Sequence, residues 1–355
     1  MVSIGERIRR ARRAVGLSMR DLADRVGVSH QAIFKYERDE DVPSSGVLLR
    51  LADALGVKIE YFFRTRTAKV SGLAYRKLSG LPRKAEWVVL EQIQEWLERY
   101  LEVEDLFPEQ IRRFALPSSV DRRVSSVEEA ERVSEELRGA WELGLDPIKD
   151  LTELLEEKGI RVGLVDGVDG FDACTFQTES GEPIIAVKRG LPGDRQRFKL
   201  AHELGHITLE PAEGVDPEAA ARRFAGAFLV PQAAARKELG QQRHNLSHYE
   251  LHLLKHKYGL SMQGWIYRSK DLGIISERVF KSLFRLFKQR GWHLQEPGDA
   301  LPPEEPKYME RLVMRALAED LISVSRAAEL LGKPLDQLRQ EVAMQHGGFS
   351  ADFGH

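Results

Sequence analysis

Between residues 4 and 63 the apolar positions recur at intervals of three and four, in five short runs that each end on a turn or capping signal. That is the pattern of short amphipathic helices. Residues 4–15 form the first. Ser18 caps the second, 19–26, Gly27 makes the turn, and Ser29 caps the third, 30–38. Pro43-Ser-Ser precedes the fourth, and 57–63 forms the fifth. Residues 64–83 are basic and broken by Gly72, Gly80 and Pro82, which reads as a linker. From 84 to 106 the helical period returns. Val89, Ile93, Trp96, Leu97, Tyr100 and Leu101 form one stripe, with Glu91, Glu95, Glu98 and Glu102 opposite. The stripe fits either a dimer seam or a brace against the rest of the chain.

Further along, Ser126-Val-Glu-Glu129 is a capping box that opens another helix. Residues 160–165, 173–177 and 184–187 are short apolar runs bounded by Gly and Asp turns, which predicts three strands. Residues 194–209 return to a helix, with Asp194 placed to cap it and Phe198, Leu200, Ala201, Leu204, Ile207 and Leu209 as its apolar body. This helix carries His202-Glu-Leu-Gly-His206. Imidazoles four positions apart project from one face, one turn apart, so both can reach a single Zn2+. Glu203, between them, is placed to take a proton from water at such a metal. Unpartnered polar groups on a largely buried helix are costly, and a metal satisfies all three. A catalytic zinc takes a third protein ligand and leaves its fourth position to water. Pro217 and Glu218 stand in the first turn of the next helix, 217–231, where a carboxylate suits the helix dipole. Glu210, Glu213 and Asp216 compete with Glu218 for the ligand role.

Charge divides the chain. Residues 1–84 hold 18 Lys and Arg against 9 Asp and Glu, whereas 85–170 hold 10 against 22, although the whole 355-residue chain carries a net −2. A basic block beside an acidic one is what phosphate contact followed by a non-binding segment gives. The single cysteine, Cys174, excludes an intramolecular disulfide and fits a reducing compartment. It lies on the predicted strand before the His helix, where a thiolate binding in the water position would hold a zinc enzyme latent. The alternative is an ordinary small buried side chain. There is no basic-then-apolar leader and no apolar run long enough to span a bilayer, so a cytoplasmic protein with no membrane partner is expected.

Two resemblances sharpen the picture. Arg195-Gln-Arg-Phe-Lys-Leu-Ala-His-Glu-Leu-Gly-His206, Glu218-x-x-Ala221-x-x-Phe224-Ala225, Leu229-Val-Pro231 and Tyr258-Gly-Leu-Ser-Met-Gln263 together resemble the ImmA/IrrE family of zinc metallopeptidases, over roughly residues 125–290. The resemblance implies that His202, His206 and Glu218 bind Zn2+ and that Glu203 is the general base. Arg222 stands where the family usually has Asn, and Lys199 where Thr is common. Leu17-Ser-x-x-Asp-Leu-Ala-Asp-x-Val-Gly-Val-Ser29, followed by Ile33-x-x-Tyr-Glu37, resembles the Xre/Cro-type helix-turn-helix, although Met19 replaces a frequent Gln. That fold lays its second helix in the major groove, which makes Ser29, His30, Gln31 and Lys35 the DNA-facing residues and Phe34 a thymine-methyl contact.

The expected fold is mostly α with an α+β zincin-like catalytic domain, flanked by an N-terminal five-helix helix-turn-helix domain, a helical linker and a helical C-terminal region. The expected divisions are 1–65 for the DNA-binding domain, 66–120 for the linker and amphipathic helix, and 121–292 for the metallopeptidase domain. Residues 293–355 supply a Pro-rich linker (294–306), two or three helices within 307–343 and a frayed tail. The helices around Ser323–Gly332 loosely resemble another helix-turn-helix, or form a plain cap. The expected function is a DNA-binding regulator fused to a zinc endopeptidase with latent activity, acting as a homodimer on a double-stranded operator. Its protein substrate is expected to be a repressor or antitoxin, cleaved in trans or within itself, in a stress or phage/mobile-element response. The rival expectation is a repressor or antitoxin whose zinc fold only senses or scaffolds.

Overall fold

The computed structural model describes residues 3–64, 68–71 and 80–347. Gly72 of the expected linker and the tail beyond Gly347 lie outside them. The N-terminal helices form where their caps place them: α1 (Ile4–Ala14), α2 (Met19–Val26), α3 (His30–Glu37) and α4 (Ser45–Leu55). The fifth element is a 3-10 turn, Ile59–Phe63, rather than an α-helix. Ser18 and Asp21 form a reciprocal capping box at the start of α2. Gly27 then turns the chain at φ 71°, a left-handed conformation that suits glycine. Ile8, Leu22, Val26, Ile33, Leu51 and Phe62 close a small core under these helices.

A two-residue strand, β1 (Val70–Ser71), leads toward α5 (Arg83–Leu106). The apolar stripe of α5 is a brace. Val89, Ile93 and Leu97 are fully buried against the sheet described below, and Tyr100, Val103 and Phe107 against the C-terminal helices. The acidic face is covered too. Glu98 takes the guanidinium of Arg7 and, at 2.7 Å, that of Arg10, while Glu91 takes Arg10 at 2.9 Å. Arg12 turns inward to Glu37. Much of the positive charge of α1 is therefore internal counter-charge, and the DNA-facing cations must come from elsewhere in the unit. This narrows the phosphate-contact reading of that block to cations other than Arg7, Arg10 and Arg12.

The second half of the chain starts with β2 (Arg123–Val124), α6 (Ala130–Ala140) and α7 (Leu151–Glu157). The capping box before α6 forms one residue displaced: Ser126 accepts the Glu129 N–H, but the Glu129 carboxylate accepts from Ser125. Strands β3 (Arg161–Val165), β4 (Ala173–Thr178) and β5 (Pro183–Lys188) make a sheet of order β1-β4-β5-β3, with β4 antiparallel to both neighbours and β3 parallel to β5. Alternation splits its side chains. Cys174, Phe176, Ile184 and Ala186 face α5. Ile185 and Val187 face the main core, which includes Leu200, Ala201 and Leu204 of α8 (Gly193–Thr208). A parallel pair of β2 with β6 (Glu210–Pro211) follows, then α9 (Pro217–Leu229), α10 (Gln232–Leu239), α11 (His248–Tyr258), α12 (Met262–Asp271) and α13 (Glu277–Gln289). The observed architecture is mostly α with two small sheets.

Asp194 does not cap α8. It lies in the first turn, buried and 3.2 Å from the Lys255 ammonium. Nor does the Pro- and Glu-rich segment behave as a loose linker. Glu304 exchanges hydrogen bonds with Gln196, takes Arg197 and both donors of Thr152, and so straps this segment to α7 and α8. It leads into α14 (Tyr308–Ala318), α15 (Val324–Leu331) and α16 (Leu335–Gly347), which cap the far end of α5.

Glu156 on α7 accepts the backbone N–H groups of Lys307 and Tyr308 at 3.0 and 3.1 Å and so fixes the start of α14. Burial pushes its carboxyl up to about 7 despite those donors and the nearby charge of Arg311, with Asp150 adding to the rise. A raised carboxyl stabilises the fold most below the ordinary carboxylate range, and that contribution disappears as the pH climbs through 7. The unfolding free energy should thus fall by on the order of 2–3 kcal/mol between about pH 4.5 and 7 because of this group. In urea titrations, Glu156→Gln should flatten that part of the profile. An equally steep decline in both proteins would refute the assignment.

Candidate metal centre and nucleic-acid face

α8 and α9 meet at Gly205. A Cβ there would lie 3.2 Å from both the Ala221 Cα and a Phe224 ring carbon. This small-residue contact lets the start of α9 reach the histidines. Asp216 caps α9 by accepting the Glu218 N–H at 2.9 Å, which orients the first turn. The result is a tight triangle. His202 Nε2 lies 3.2 Å from His206 Nε2 and 3.1 Å from Glu218 Oε2, and His206 Nε2 lies 3.2 Å from Glu218 Oε1. Nitrogen and oxygen ligands at about 2.0–2.1 Å from a tetrahedral Zn2+ stand roughly 3.3 Å apart, so these separations and the His, His, carboxylate donor set fit that ion. Among the described residues this is the one group of three potential ligands that converges, and Glu210, Glu213, Asp216 and Cys174 are not part of it. His202 is buried, with the Phe198 ring nearly parallel to its imidazole, while His206 and Glu218 are half-buried.

Glu203 is 2 % exposed and accepts a hydrogen bond from the Thr175 hydroxyl at 2.7 Å. Thr175 was missed in the sequence, although the signal was there. It adjoins Cys174 on a strand, so the two side chains point to opposite faces. By the same alternation Cys174 is buried among Phe176, Ile184 and Ala186 on the face toward α5. Two further polar groups near the motif have other roles. Arg268 is buried and bonded to Glu131 and the Val230 carbonyl, tying α12 to α6. Lys199 pairs with Asp172 at 3.0 Å. Burial raises the Asp172 carboxyl, but hydrogen bonds from Arg195 and Lys199 outweigh it and hold it below the usual range. Arg222 is exposed, 3.9 Å from Asp216.

In the N-terminal unit, Ser29 accepts the Ala32 N–H at 3.1 Å and starts α3. His30, Gln31 and Lys35 are exposed on the same short helix. Phe34 is half-buried, with the Arg38 guanidinium over its ring. Ile33 and Tyr36 face the core. Polar side chains at the exposed N-terminal end of the second helix of such a pair are what groove reading requires.

This arrangement defines a DNA-reading unit joined to a fold with a His–His–Glu cluster. Residues 8–62 match the family model described as helix-turn-helix, and residues 156–270 match the one described as IrrE N-terminal-like domain, a peptidase family. The chain carries an Xre-type helix-turn-helix domain at its N-terminus and an IrrE-like domain of the M78 peptidase type. Over 60 residues it is 47 % identical to a transcriptional regulator in the ATPase CF(0) region of Rhodospirillum rubrum, covering 17 % of this chain and 56 % of that protein. An HTH-type transcriptional regulator of Rickettsia prowazekii is 43 % identical over 60 residues, 17 % of this chain and 46 % of its own length. One from Sinorhizobium fredii is 29 % identical over 105 residues, 29 % of this chain and 73 % of its own. The chain thus spans about half the length of the first two of these relatives.

Two substitutions test the site. Valine at Gly205 would force α9 away from α8 and is expected to lower zinc content, by elemental analysis, from near one equivalent to none, at a stability cost of about 1–3 kcal/mol. Full zinc binding in that variant would refute the geometry. Thr175→Val leaves the buried Glu203 carboxylate one donor short. It should destabilise by about 1–3 kcal/mol in chemical denaturation, with Thr175→Ser close to the parent.

Proposed function

We propose that this regulator carries a working zinc endopeptidase, with Zn2+ held by His202, His206 and Glu218 and with Glu203 as general base. The observation that carries the reading is the convergence of three ligand atoms within 4.8 Å of one another, with Glu203 adjacent in the same helix. Bound there, Zn2+ would polarise a peptide carbonyl and acidify water. The protein groups have separable roles. The histidines, as neutral imidazoles, offer Nε2 lone pairs, and Glu218 supplies negative charge. Glu203 takes a proton from the attacking water and returns it to the departing amine, and the Thr175 hydroxyl fixes which carboxylate oxygen does so.

The substrate we infer is a repressor or antitoxin protein, and the setting a stress or phage/mobile-element response. Operator binding through Ser29, His30, Gln31, Phe34 and Lys35 would use a homodimer, since half-sites for this fold lie about one helical turn apart. The α5 stripe is engaged within the chain, so a dimer seam would have to lie elsewhere. Among the described residues no helix is long and apolar enough to cross a membrane. A second reading, a regulator whose metal fold senses or scaffolds without cutting, draws on the relatives, which are named as regulators rather than peptidases.

Glu203→Gln separates the two. Zinc content and operator affinity should stay within about twofold, while zinc-dependent cleavage of the regulated repressor falls by at least about 100-fold. If derepression persists in cells carrying this variant, the scaffold reading replaces the catalytic one.

A further inference from the structure

α13 divides its two faces. Leu283 and Phe287 are buried in the main core, and Val279, Phe280 and Phe284 pack against it. On the opposite side Arg278, Lys281, Arg285 and Lys288 follow at intervals of three, four and three residues, all exposed. At 3.6 residues per turn and 1.5 Å per residue they fall within an arc of about 80° and run about 15 Å along the helix. Lys281 lies 3.6 Å from Glu277, one turn back. Arg278, Arg285 and Lys288 make no ion pair among the described residues. Arg7, Arg10, Arg12, Arg64, Arg161 and Arg197, by contrast, each meet a carboxylate. Like charges on adjacent turns repel, and among the described residues only Glu277, at the N-terminal end of the row, offsets any of them.

We propose that this row is a second DNA-contacting surface, which grips the phosphate backbone of duplex DNA independently of the α3 face. A line of Lys and Arg in which Arg278, Arg285 and Lys288 meet no carboxylate among the described residues complements a regular polyanion, and backbone contacts of this kind need no base-reading geometry. Lipid is the poorer match. A basic amphipathic helix binds a membrane by inserting its apolar face, and here that face is already in the core. The chain also holds a helix-turn-helix unit, so DNA is a polyanion it is built to meet. The proposal does not depend on the peptidase reading.

The test uses the whole chain, a random-sequence duplex of about 60 base pairs and fluorescence anisotropy between roughly 50 and 200 mM salt, where each neutralised phosphate adds about 0.9 to the slope of log affinity against log salt. Arg285→Gln with Lys288→Gln should lower that slope by about 1.8 and weaken binding roughly ten- to sixty-fold near 0.1 M salt. Lys149→Gln with Lys237→Gln, two exposed cations elsewhere, makes the same change in net charge and should leave the slope unchanged. Gln31→Ala should remove operator preference but keep the slope contributed by α13, which separates this surface from the reading helix. Should the stripe double variant lose its helical circular dichroism, Arg285→Gln and Lys288→Gln are read singly, each with a slope change of about 0.9. An unchanged slope, or an equal fall in the control pair, overturns the proposal. So does an unchanged slope with lost binding to poly-glutamate, which would make the surface a dock for acidic protein segments.

Discussion

The close approach of α8 and α9 at Gly205 is the contact on which the functional geometry rests. Helices normally pack at 8–10 Å between axes, set by the side chains at the crossing. Here one partner contributes a hydrogen and the other Ala221, so the start of α9 comes within reach of the histidine face. A larger residue would leave Glu218 on its own helix and the two imidazoles facing water or a void. The neighbouring core follows from the same approach, because Phe224 fills the space beside Gly205 and stacks on Phe228. Packing therefore places a charged side chain where burial alone would forbid one. The cost of carrying His202 and Glu203 into the interior is offset by partners that this approach and strand β4 bring to them.

A second constraint is electrostatic and holds the halves of the chain together. α5 lies between the DNA-reading unit, the sheet and the C-terminal helices, and its glutamates face arginines on every side. Glu98 meets Arg7 and Arg10, Glu104 meets Arg161, and Glu102 meets Arg326. Arg64 reaches across to Glu329. A cavity of about 710 Å³ remains where the units meet, with Trp96, Arg99 and Glu156 among its walls. Buried ion pairs are weak evidence for net stability, since desolvation offsets most of their attraction. They are strong determinants of register, because one partner without the other leaves an uncompensated buried charge.

Local signals were readable in the sequence and long-range ones were not. Ser18, Gly27 and Ser29 act within a few residues, so the first three helices fall within a residue or so of their expected bounds. The three strands and the His helix were equally legible, because alternation and the 3.6 period are local properties. The burial of Arg7, Arg10 and Arg12 was not, since their partners lie 25 to 91 positions away and an arginine-rich helix looks the same whether it meets phosphate or glutamate. Residues 294–306 misled for a related reason. Proline and glutamate read as a solvated linker, yet a proline-rich segment has fewer backbone donors to satisfy and can lie extended along a helix. Glu304 supplies the contacts that hold it there. Cys174 and Thr175 show the limit within one strand: composition singled out the thiol, whereas alternation turns its neighbour toward Glu203.

These ties bear on whether a peptidase of this kind would act on itself or on another protein. A cut between residues 64 and 80 would sever the chain connecting the DNA-reading unit to α5, but it would not remove what holds them together. Arg7 and Arg10 would still be buried on Glu98, and Arg64 on Glu329. Breaking a buried pair of this type costs about 3–5 kcal/mol, and several would have to break together before the reading head could leave. Self-cleavage there is consequently a poor release mechanism unless another event first protonates or displaces these carboxylates. Cleavage of a separate protein would meet no such barrier, and the Glu218 side chain of the cluster is half-exposed. The same clamp would give the DNA-reading unit a use in the proposed proteolysis. If the domain cuts as proposed, a head fixed against it, rather than tethered loosely, would hold the cluster at a set distance from bound DNA and raise the effective concentration of a protein substrate on a neighbouring site.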